Sequence, residues 1–189
     1  MTIFITGGCK NGKSSIAEDC CIKIADGGPL YYLATMKAFD DEDKARIARH
    51  RESRAGKNFI TIEQPANILE CLEKSDYTNG TFILDAVTSL MINELYSTSD
   101  AMGSDNYEMT ADKTAAERVA RDLVTLCDKV KNIVFVSDFI YEELGNYSEY
   151  TEEYLRSLST VDKALAKKCD AVAEIVLGNI NMIKGELPL

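Results

Sequence analysis

The stretch GGCKNGKS at residues 7–14 constrains the fold of this 189-residue chain more than any other segment. It fits the pattern G-x-x-x-x-G-K-[ST], with a β-rich run at residues 2–6 before it and helical spacing at residues 14–25 after it. The glycines let the backbone curl so that its N–H groups face phosphate oxygens at the positive end of the helix. The pattern therefore predicts a strand, a phosphate-binding loop and a helix, and the alternative is a glycine turn that binds nothing.

Within this loop, two side chains have predicted chemical roles. Lys13 would bring a positive charge to the β- and γ-phosphates of a nucleotide, and the Ser14 hydroxyl would bind Mg²⁺. Asp85 follows the apolar run TFIL and is the candidate for a second magnesium ligand, with helix capping as the alternative. The loop residues expected to contact the nucleotide are Gly7, Gly8, Cys9, Lys10, Asn11, Gly12, Lys13, Ser14 and Ser15.

Strand-like and helix-like segments alternate along the chain. Strands are predicted at residues 2–6, 30–35, 58–63, 81–87 and 132–137, and helices at 14–25, 40–53, 65–75, 88–96, 111–130 and 149–169. Residues 173–185 are predicted to form a closing hairpin that turns at Gly178-Asn179, and residues 97–110 and 138–150 to be mobile loops. The alternation predicts one α/β domain over residues 1–189, P-loop NTPase-like, with a mainly parallel sheet and helices on both faces.

The composition limits the partners of the protein. A formal net charge of -10 argues against a general nucleic-acid binder, because such proteins are normally basic. The sequence contains no apolar run long enough to cross a bilayer and no signal-peptide pattern, so we expect no membrane insertion. The six cysteines include no C-x-x-C pair, and we expect reduced thiols in the cytoplasm.

The only histidine, His50, lies in the basic segment RIARHRESR at residues 46–54. On a helix, Arg46, His50 and Arg54 would share one face, with Arg49 beside them. Positive neighbours favour the neutral imidazole, which is a nucleophile, and arginines hold phosphates. The segment is therefore compatible with covalent nucleotidyl transfer. The alternative is a solvated helix face whose arginines pair with nearby acids: Asp40, Asp41, Glu42 and Glu52.

Taken together, these segments resemble the bifunctional adenosylcobinamide kinase/adenosylcobinamide-phosphate guanylyltransferase family of cobalamin biosynthesis. The P-loop of that family matches ITGGCKNGKSSIAE, and its second block matches YLATMKAFDDEDKARIARHRESR without a gap. The resemblance covers nearly the whole chain and is strongest over residues 1–95. Shorter family blocks match Thr61, Glu63, Pro65, Asp85, Thr88 and Asn93.

The resemblance implies a two-step activity. A nucleoside triphosphate, ATP or GTP, held at Lys13, Ser14 and Asp85 would phosphorylate the aminopropanol hydroxyl of adenosylcobinamide. His50 would then take GMP from GTP and pass it to the new phosphate, giving adenosyl-GDP-cobinamide and pyrophosphate. The resemblance also implies Mg²⁺, a corrinoid substrate and a homotrimer. Beyond the P-loop, the nucleotide contacts it implies are Thr35, Arg46, Arg49, Arg51, Arg54 and Glu63.

In the last third, the chain departs from the family pattern. The family's N-E-x-G aligns with DFIY, so Asp138 replaces Asn and Phe139 replaces Glu, with Glu142–Gly145 as a shifted counterpart. The family's N-Q becomes Asp162-Lys163, and its F-R-D becomes Tyr154-Leu155-Arg156. Three further hypotheses therefore stay open: a member that keeps only guanylyl transfer, another P-loop small-molecule kinase with a structural His50, and a non-catalytic nucleotide-binding protein.

Overall fold

The computed structural model describes residues 1–38, 40–96, 111–141 and 145–189, without the side chains of Arg46, His50 and Ser53. The strands are β1 (Thr2–Gly7), β2 (Leu30–Ala34), β3 (Phe59–Glu63), β4 (Thr81–Asp85), β5 (Asn132–Val136), β6 (Ala171–Val176) and β7 (Asn179–Lys184). They form one sheet in the order β3-β2-β4-β5-β1-β6-β7. Every pairing in the sheet is parallel except that of β6 with β7. The predicted fold class, α/β with a mainly parallel sheet and a closing hairpin, is confirmed.

Helices cover both faces of this sheet. They are α1 (Lys13–Ile24), α2 (Asp41–Ser53), α3 (Val87–Leu95), α4 (Ala115–Lys129) and α5 (Glu149–Lys168), with a 3-10 helix at Ile68–Lys74. The buried residues of α1 pack with one face of the central strands, and α3, α4, α5 and the 3-10 helix pack with the other. Because both faces are covered, β5 is buried over its whole length, as its uninterrupted apolar sequence predicts.

Some predicted boundaries are wrong by a few residues, for local reasons. The C-terminal hairpin turns at Leu177-Gly178, not Gly178-Asn179, because these two residues have φ of 50° and 79° while Asn179 already belongs to β7. The segment after Pro65 becomes helical only at Ile68, because Asn67 at the N-cap is left-handed with φ 48°.

The predicted loop at 97–110 and the Glu142–Glu143–Leu144 part of the shifted family block lie outside the described residues.

The N-terminus of α4 is also later than predicted. Helix α4 begins at Ala115 because the Asp112 carboxylate accepts from the backbone N–H and the hydroxyl of Thr114, which holds these residues in a turn. Among the described residues, none of the helices is long and apolar enough to span a bilayer.

The register of the central strands determines where the candidate site lies. Asp85 at the end of β4 is paired with Val136 of β5, which in turn is paired with Ile5 of β1. Since parallel strands run in the same direction, the P-loop after β1, Asp85 and the residues that follow β5 meet at one edge of the sheet.

Candidate functional site

The phosphate-binding loop connects β1 to α1 in a conformation that requires glycine at two positions. Gly7 has φ 142°, and a Cβ there would lie 2.3 Å from the carbonyl oxygen of Ile175. Gly12 is the left-handed N-cap of α1, with φ 85° and no side-chain capping bond. The first N–H groups of α1 are therefore left to bind phosphate oxygens, which the helix dipole also favours.

Lys13 lies buried at the start of α1 with its ammonium over the loop. Its Nζ donates to the carbonyl oxygen of Gly8 at 2.6 Å and lies 2.7 Å from Oδ1 of Asp138. The other carboxylate oxygen of Asp138 accepts a long hydrogen bond, 3.4 Å, from the hydroxyl of Thr88. Lys13, which is predicted to bind phosphates, is thus paired with Asp138. The sequence comparison noted Asp138 only because it replaces the Asn of the family pattern.

Asp85 ends β4 and is held by Tyr32 of β2. The Tyr32 hydroxyl donates to Oδ2 of Asp85 at 2.6 Å. Burial, and then the negative charge of Asp85, raise the pKa of Tyr32, so the phenol keeps its proton and stays a donor. One Asp85 oxygen is thereby oriented, and the second carries no described hydrogen bond.

These residues fit a magnesium ion that is held partly by a nucleotide. Mg²⁺ usually takes one or two protein ligands and completes its octahedron with phosphate oxygens and water. Ser14 is half-buried in the first turn of α1, and Asp85 lies at the same edge of the sheet. Within the described part of the chain, no three acidic, cysteine or histidine side chains are placed so that together they could hold a metal ion. A cation at this place would therefore depend on phosphate oxygens.

The helix that carries His50 begins as the sequence predicts. Asp40 caps α2, and its carboxylate accepts from the Asp43 N–H at 2.8 Å. The backbone of His50 lies in the last turns of α2, but its side chain and that of Arg46 lie outside the described residues. Arg49 is exposed, so a nucleotide can reach it from solvent.

Two other arginines of this segment have different environments. Arg51 pairs with Glu63 at the surface, where both side chains are more than half exposed. Such surface pairs contribute little to stability, so a phosphate can replace the Glu63 carboxylate as partner of Arg51. Arg54 is buried, with its guanidinium carbon 3.5 Å from the centroid of the Tyr32 ring. Among the described residues, Nη1 of Arg54 has no hydrogen-bond partner.

Arg54 has an inward orientation that helical spacing does not predict. Helix α2 ends at Ser53, and Arg54 is its C-cap in a right-handed helical conformation, with its N–H directed to the carbonyl oxygens of Arg51 and Glu52. Its side chain turns inward because the cation is attracted by the face of the Tyr32 ring. The neighbouring Lys57 binds Glu18 of α1 at 2.7 Å, which fixes the end of α2 against α1.

A cavity of about 240 Å³ opens beside Arg54. It lies between the end of α2 and the start of β3, and its lining residues are Arg51, Arg54, Ala55, Gly56, Asn58, Phe59 and Thr61. Arg51 and Arg54 give this cavity two guanidinium groups, which suit it to an anion. Helical spacing within α2 could not predict this cavity, because two of its seven lining residues, Phe59 and Thr61, come from β3.

Thr35 is buried next to Asp85 and supports the end of β4. Its hydroxyl donates to the carbonyl oxygen of Ala86 at 2.8 Å and accepts from the Ala86 N–H at 3.0 Å. The Asn93 amide donates to the Thr35 carbonyl oxygen at 2.8 Å. In this conformation Thr35 orders the segment after Asp85, and its contact with a nucleotide stays a prediction.

A second acid, Asp162 of α5, lies buried behind Asp138. Its Oδ2 accepts from the hydroxyls of Ser137 and Tyr141, at 3.1 and 2.9 Å. Burial, reinforced by the charge of Asp138, raises the pKa of Asp162 to about 7. Burial also raises the pKa of Tyr154, whose hydroxyl donates to the Thr88 carbonyl oxygen at 3.1 Å. Asp138 and Asp162, which replace the two Asn residues of the family pattern, thus lie near each other.

Comparison with known proteins supports the resemblance noted in the sequence. The family model described as cobinamide kinase / cobinamide phosphate guanyltransferase matches residues 3–183. Proteins named bifunctional adenosylcobalamin biosynthesis protein CobU, from Escherichia coli K12 and Salmonella typhimurium LT2, are each 26% identical, over 94% of this chain and 97% of theirs. The corresponding protein named CobP from Pseudomonas aeruginosa is 26% identical, over 98% of this chain and 99% of its own.

Among solved structures, the flagellar accessory protein FlaH from Methanocaldococcus jannaschii matches with a TM-score of 0.47 and 12% identity. The match covers 98% of this chain and 78% of that chain.

Proposed function

The chain belongs to the cobinamide kinase / cobinamide phosphate guanyltransferase family, and on that premise we propose a two-step reaction for this bifunctional enzyme. It phosphorylates the aminopropanol hydroxyl of adenosylcobinamide with ATP or GTP. It then transfers GMP from GTP to the new phosphate through a guanylylated His50. The observation that carries the proposal is the P-loop, with buried Lys13 at the uncapped start of α1.

In the kinase step, the protein binds the triphosphate and stabilises the charge that develops on it. The N–H groups of residues 8–14 bind phosphate oxygens, and Lys13 neutralises the β- and γ-phosphates. We propose that Ser14 and Asp85 hold Mg²⁺, which supplies further positive charge to the same phosphates when it is bound. Tyr32 orients Asp85 for this role through its hydrogen bond.

In the transferase step, a ring nitrogen of His50 attacks the α-phosphorus of GTP, and the bond to the β-phosphate oxygen breaks. Pyrophosphate leaves with the electron pair. The phosphate of adenosylcobinamide phosphate then attacks the same phosphorus and releases His50. Arg51 and Arg54 line the cavity at the end of α2, and we propose that they bind phosphates of this second nucleotide, together with Arg46 and Arg49.

Labelling of the protein tests the transferase step. The wild type incubated with Mg²⁺ and GTP labelled at the α-phosphate should acquire acid-labile, base-stable label, as expected for a phosphoramidate. His50→Ala should acquire none, while Lys13→Ala, which removes the proposed phosphate contact at the P-loop, should lose phosphorylation of adenosylcobinamide. Equal labelling of wild type and His50→Ala would exclude His50 as the acceptor.

Further properties of the enzyme are proposed on separate grounds. From the resemblance we propose a homotrimer, and from the composition we propose a cytoplasmic protein with no nucleic-acid partner. Light scattering of the purified protein on a gel-filtration column tests the trimer, for which the expected mass is about three times the 20.9 kDa of one chain. A mass equal to one chain at micromolar concentration would exclude it.

A further inference from the structure

Asp138 lies beside the P-loop lysine without a role in the reaction described so far. We propose that the Asp138 carboxylate accepts the proton of the acceptor hydroxyl during phosphoryl transfer. The inference rests on the proposed kinase activity and assigns its general base. In the family pattern Asn stands at this position and Glu at the next, whereas this chain has Asp138 and Phe139, so the acid is displaced by one residue.

The backbone on both sides of Asp138 is fixed against the P-loop strand. The N–H of Ser137 donates to the Ile5 carbonyl oxygen, and that of Phe139 donates to the Gly7 carbonyl oxygen, each at 3.0 Å. Asp138 is thus held between two hydrogen bonds that extend the pairing of β5 with β1. Its distance from the loop is set by the sheet, and a rigid element positions a catalytic group better than a free loop does.

The contacts of Lys13 place Asp138 within reach of the transferred phosphate. An ammonium group has three N–H donors, and the described contacts use two of them, for Gly8 and Asp138. If the third binds a γ-phosphate oxygen, that oxygen lies about 4.5 Å from the Asp138 carboxylate, as two hydrogen bonds at a tetrahedral nitrogen require. An attacking hydroxyl lies about 3–3.5 Å from phosphorus, so its proton can reach Asp138.

The surroundings of Asp138 leave it open to a substrate. Its side chain is 29% exposed, whereas that of Lys13 is 7% exposed, so the acid lines the open side of the pair. Among the described residues, its second oxygen accepts only the long hydrogen bond from Thr88. Asp85, by comparison, lies one strand farther from β1 and holds the hydroxyl of Tyr32. Asp138 is therefore better placed to accept a proton near Lys13.

The reaction balances with the groups named. The acceptor hydroxyl oxygen forms a bond to the γ-phosphorus, and the bond from that phosphorus to the β–γ bridging oxygen breaks. The nucleoside diphosphate leaves with the electron pair of the broken bond. The hydroxyl proton passes to an oxygen of Asp138 and is released to solvent after the product leaves.

The variant Asp138→Asn separates proton acceptance from support of Lys13. An amide oxygen still accepts from the Lys13 ammonium, but the amide does not take up a proton at neutral pH. We expect kcat for phosphorylation of adenosylcobinamide by ATP to fall about 100-fold or more, because general bases contribute that much. The KM for ATP should stay within about threefold, and labelling of the protein by GTP should be unchanged.

The outcomes separate the role of Asp138 as general base from the proposed kinase activity on which it rests. If the wild type phosphorylates adenosylcobinamide and Asp138→Asn keeps kcat within about fivefold, Asp138 is not the base and the kinase proposal stands. If the wild type does not phosphorylate it at all, both fail. Asp138→Ser covers the case in which the Asn variant does not fold, and the same loss of kcat is expected of it.

Discussion

The guanidinium of Arg54 lies over the ring of Tyr32, and the hydroxyl of the same tyrosine donates to Asp85. One side chain of β2 therefore contacts both the proposed magnesium ligand of the kinase step and the end of the helix that carries His50. The two interactions of Tyr32 can be removed separately, because the hydroxyl donates to Asp85 and the ring contacts Arg54. Substitutions of Tyr32 can test each one.

Removal of the Tyr32 hydroxyl should impair the kinase step alone. In Tyr32→Phe the ring stays under Arg54, but Asp85 loses its oriented hydrogen bond. A hydrogen bond to a charged group contributes about 1.5–3 kcal/mol, so we expect kcat for phosphorylation of adenosylcobinamide to fall about tenfold or more. Labelling by GTP should keep its wild-type rate. Tyr32→Leu, which also removes the ring, should slow both steps, and an unchanged kinase rate in Tyr32→Phe would contradict the role given to Asp85.

Replacement of Arg54 by lysine should weaken GTP binding in the transferase step. Lysine keeps the charge but loses the planar group that stacks on Tyr32 and lines the cavity. The concentration of GTP that gives half-maximal labelling should rise about tenfold, as expected for the loss of one charged hydrogen bond. Arg121→Lys, at an exposed arginine of α4, serves as the matched control and should not change it. Equal effects of the two variants would show that the cavity does not bind the nucleotide.

Alanine at Gly7 and alanine at Gly12 of the P-loop should destabilise the protein to different extents. At Gly12 a Cβ meets open space, and the cost is the left-handed backbone alone, about 1 kcal/mol. At Gly7 the same atom lies 2.3 Å from the Ile175 carbonyl oxygen, which adds overlap with backbone, and we expect about 3 kcal/mol in total. Urea unfolding without nucleotide measures both free energies. A lower free energy of unfolding for Gly12→Ala than for Gly7→Ala would contradict this prediction.

Local sequence patterns predicted those parts of the site that are built from residues close together in the sequence. The P-loop and the position of Asp85 follow from short patterns next to apolar strands, and the structure has Asp85 at the end of β4 and the P-loop at the start of α1. The Lys13–Asp138 pair could not be predicted that way, because it depends on β5 lying next to β1 across 125 residues of sequence.

The environment of Arg54 shows a second limit of sequence patterns. Helical spacing placed it on one face with Arg46 and His50, but its side chain is buried at the C-cap of α2. The attraction to Tyr32 then decides its direction, and nothing in the run LYYLA marks which tyrosine of β2 faces the helix. Alternation along a strand separates Tyr31 from Tyr32 but does not say on which face of the sheet Arg54 lies.

Substitution of Asp162 should change the pH dependence of stability. Its pKa is about 7 in the folded protein against an ordinary value of 3.8, so the folded state holds a proton that the unfolded chain releases as pH rises above about 4. The contribution of Asp162 to the free energy of unfolding should therefore fall between about pH 4 and pH 7, by up to about 4 kcal/mol at 1.36 kcal/mol per pH unit, and the cost should persist at pH 8.

Asp162→Asn removes this titration while its amide oxygen still accepts from Ser137 and Tyr141. We expect the variant to exceed the wild type in free energy of unfolding at pH 8 and to match it near pH 4, as measured by urea titration at a series of pH values. Asp122→Asn, at an acid of α4 that pairs with the exposed Arg121, provides the control and should show no such trend. A difference between Asp162→Asn and wild type that does not vary from pH 4 to pH 8 would mean that the buried carboxyl does not titrate in this range.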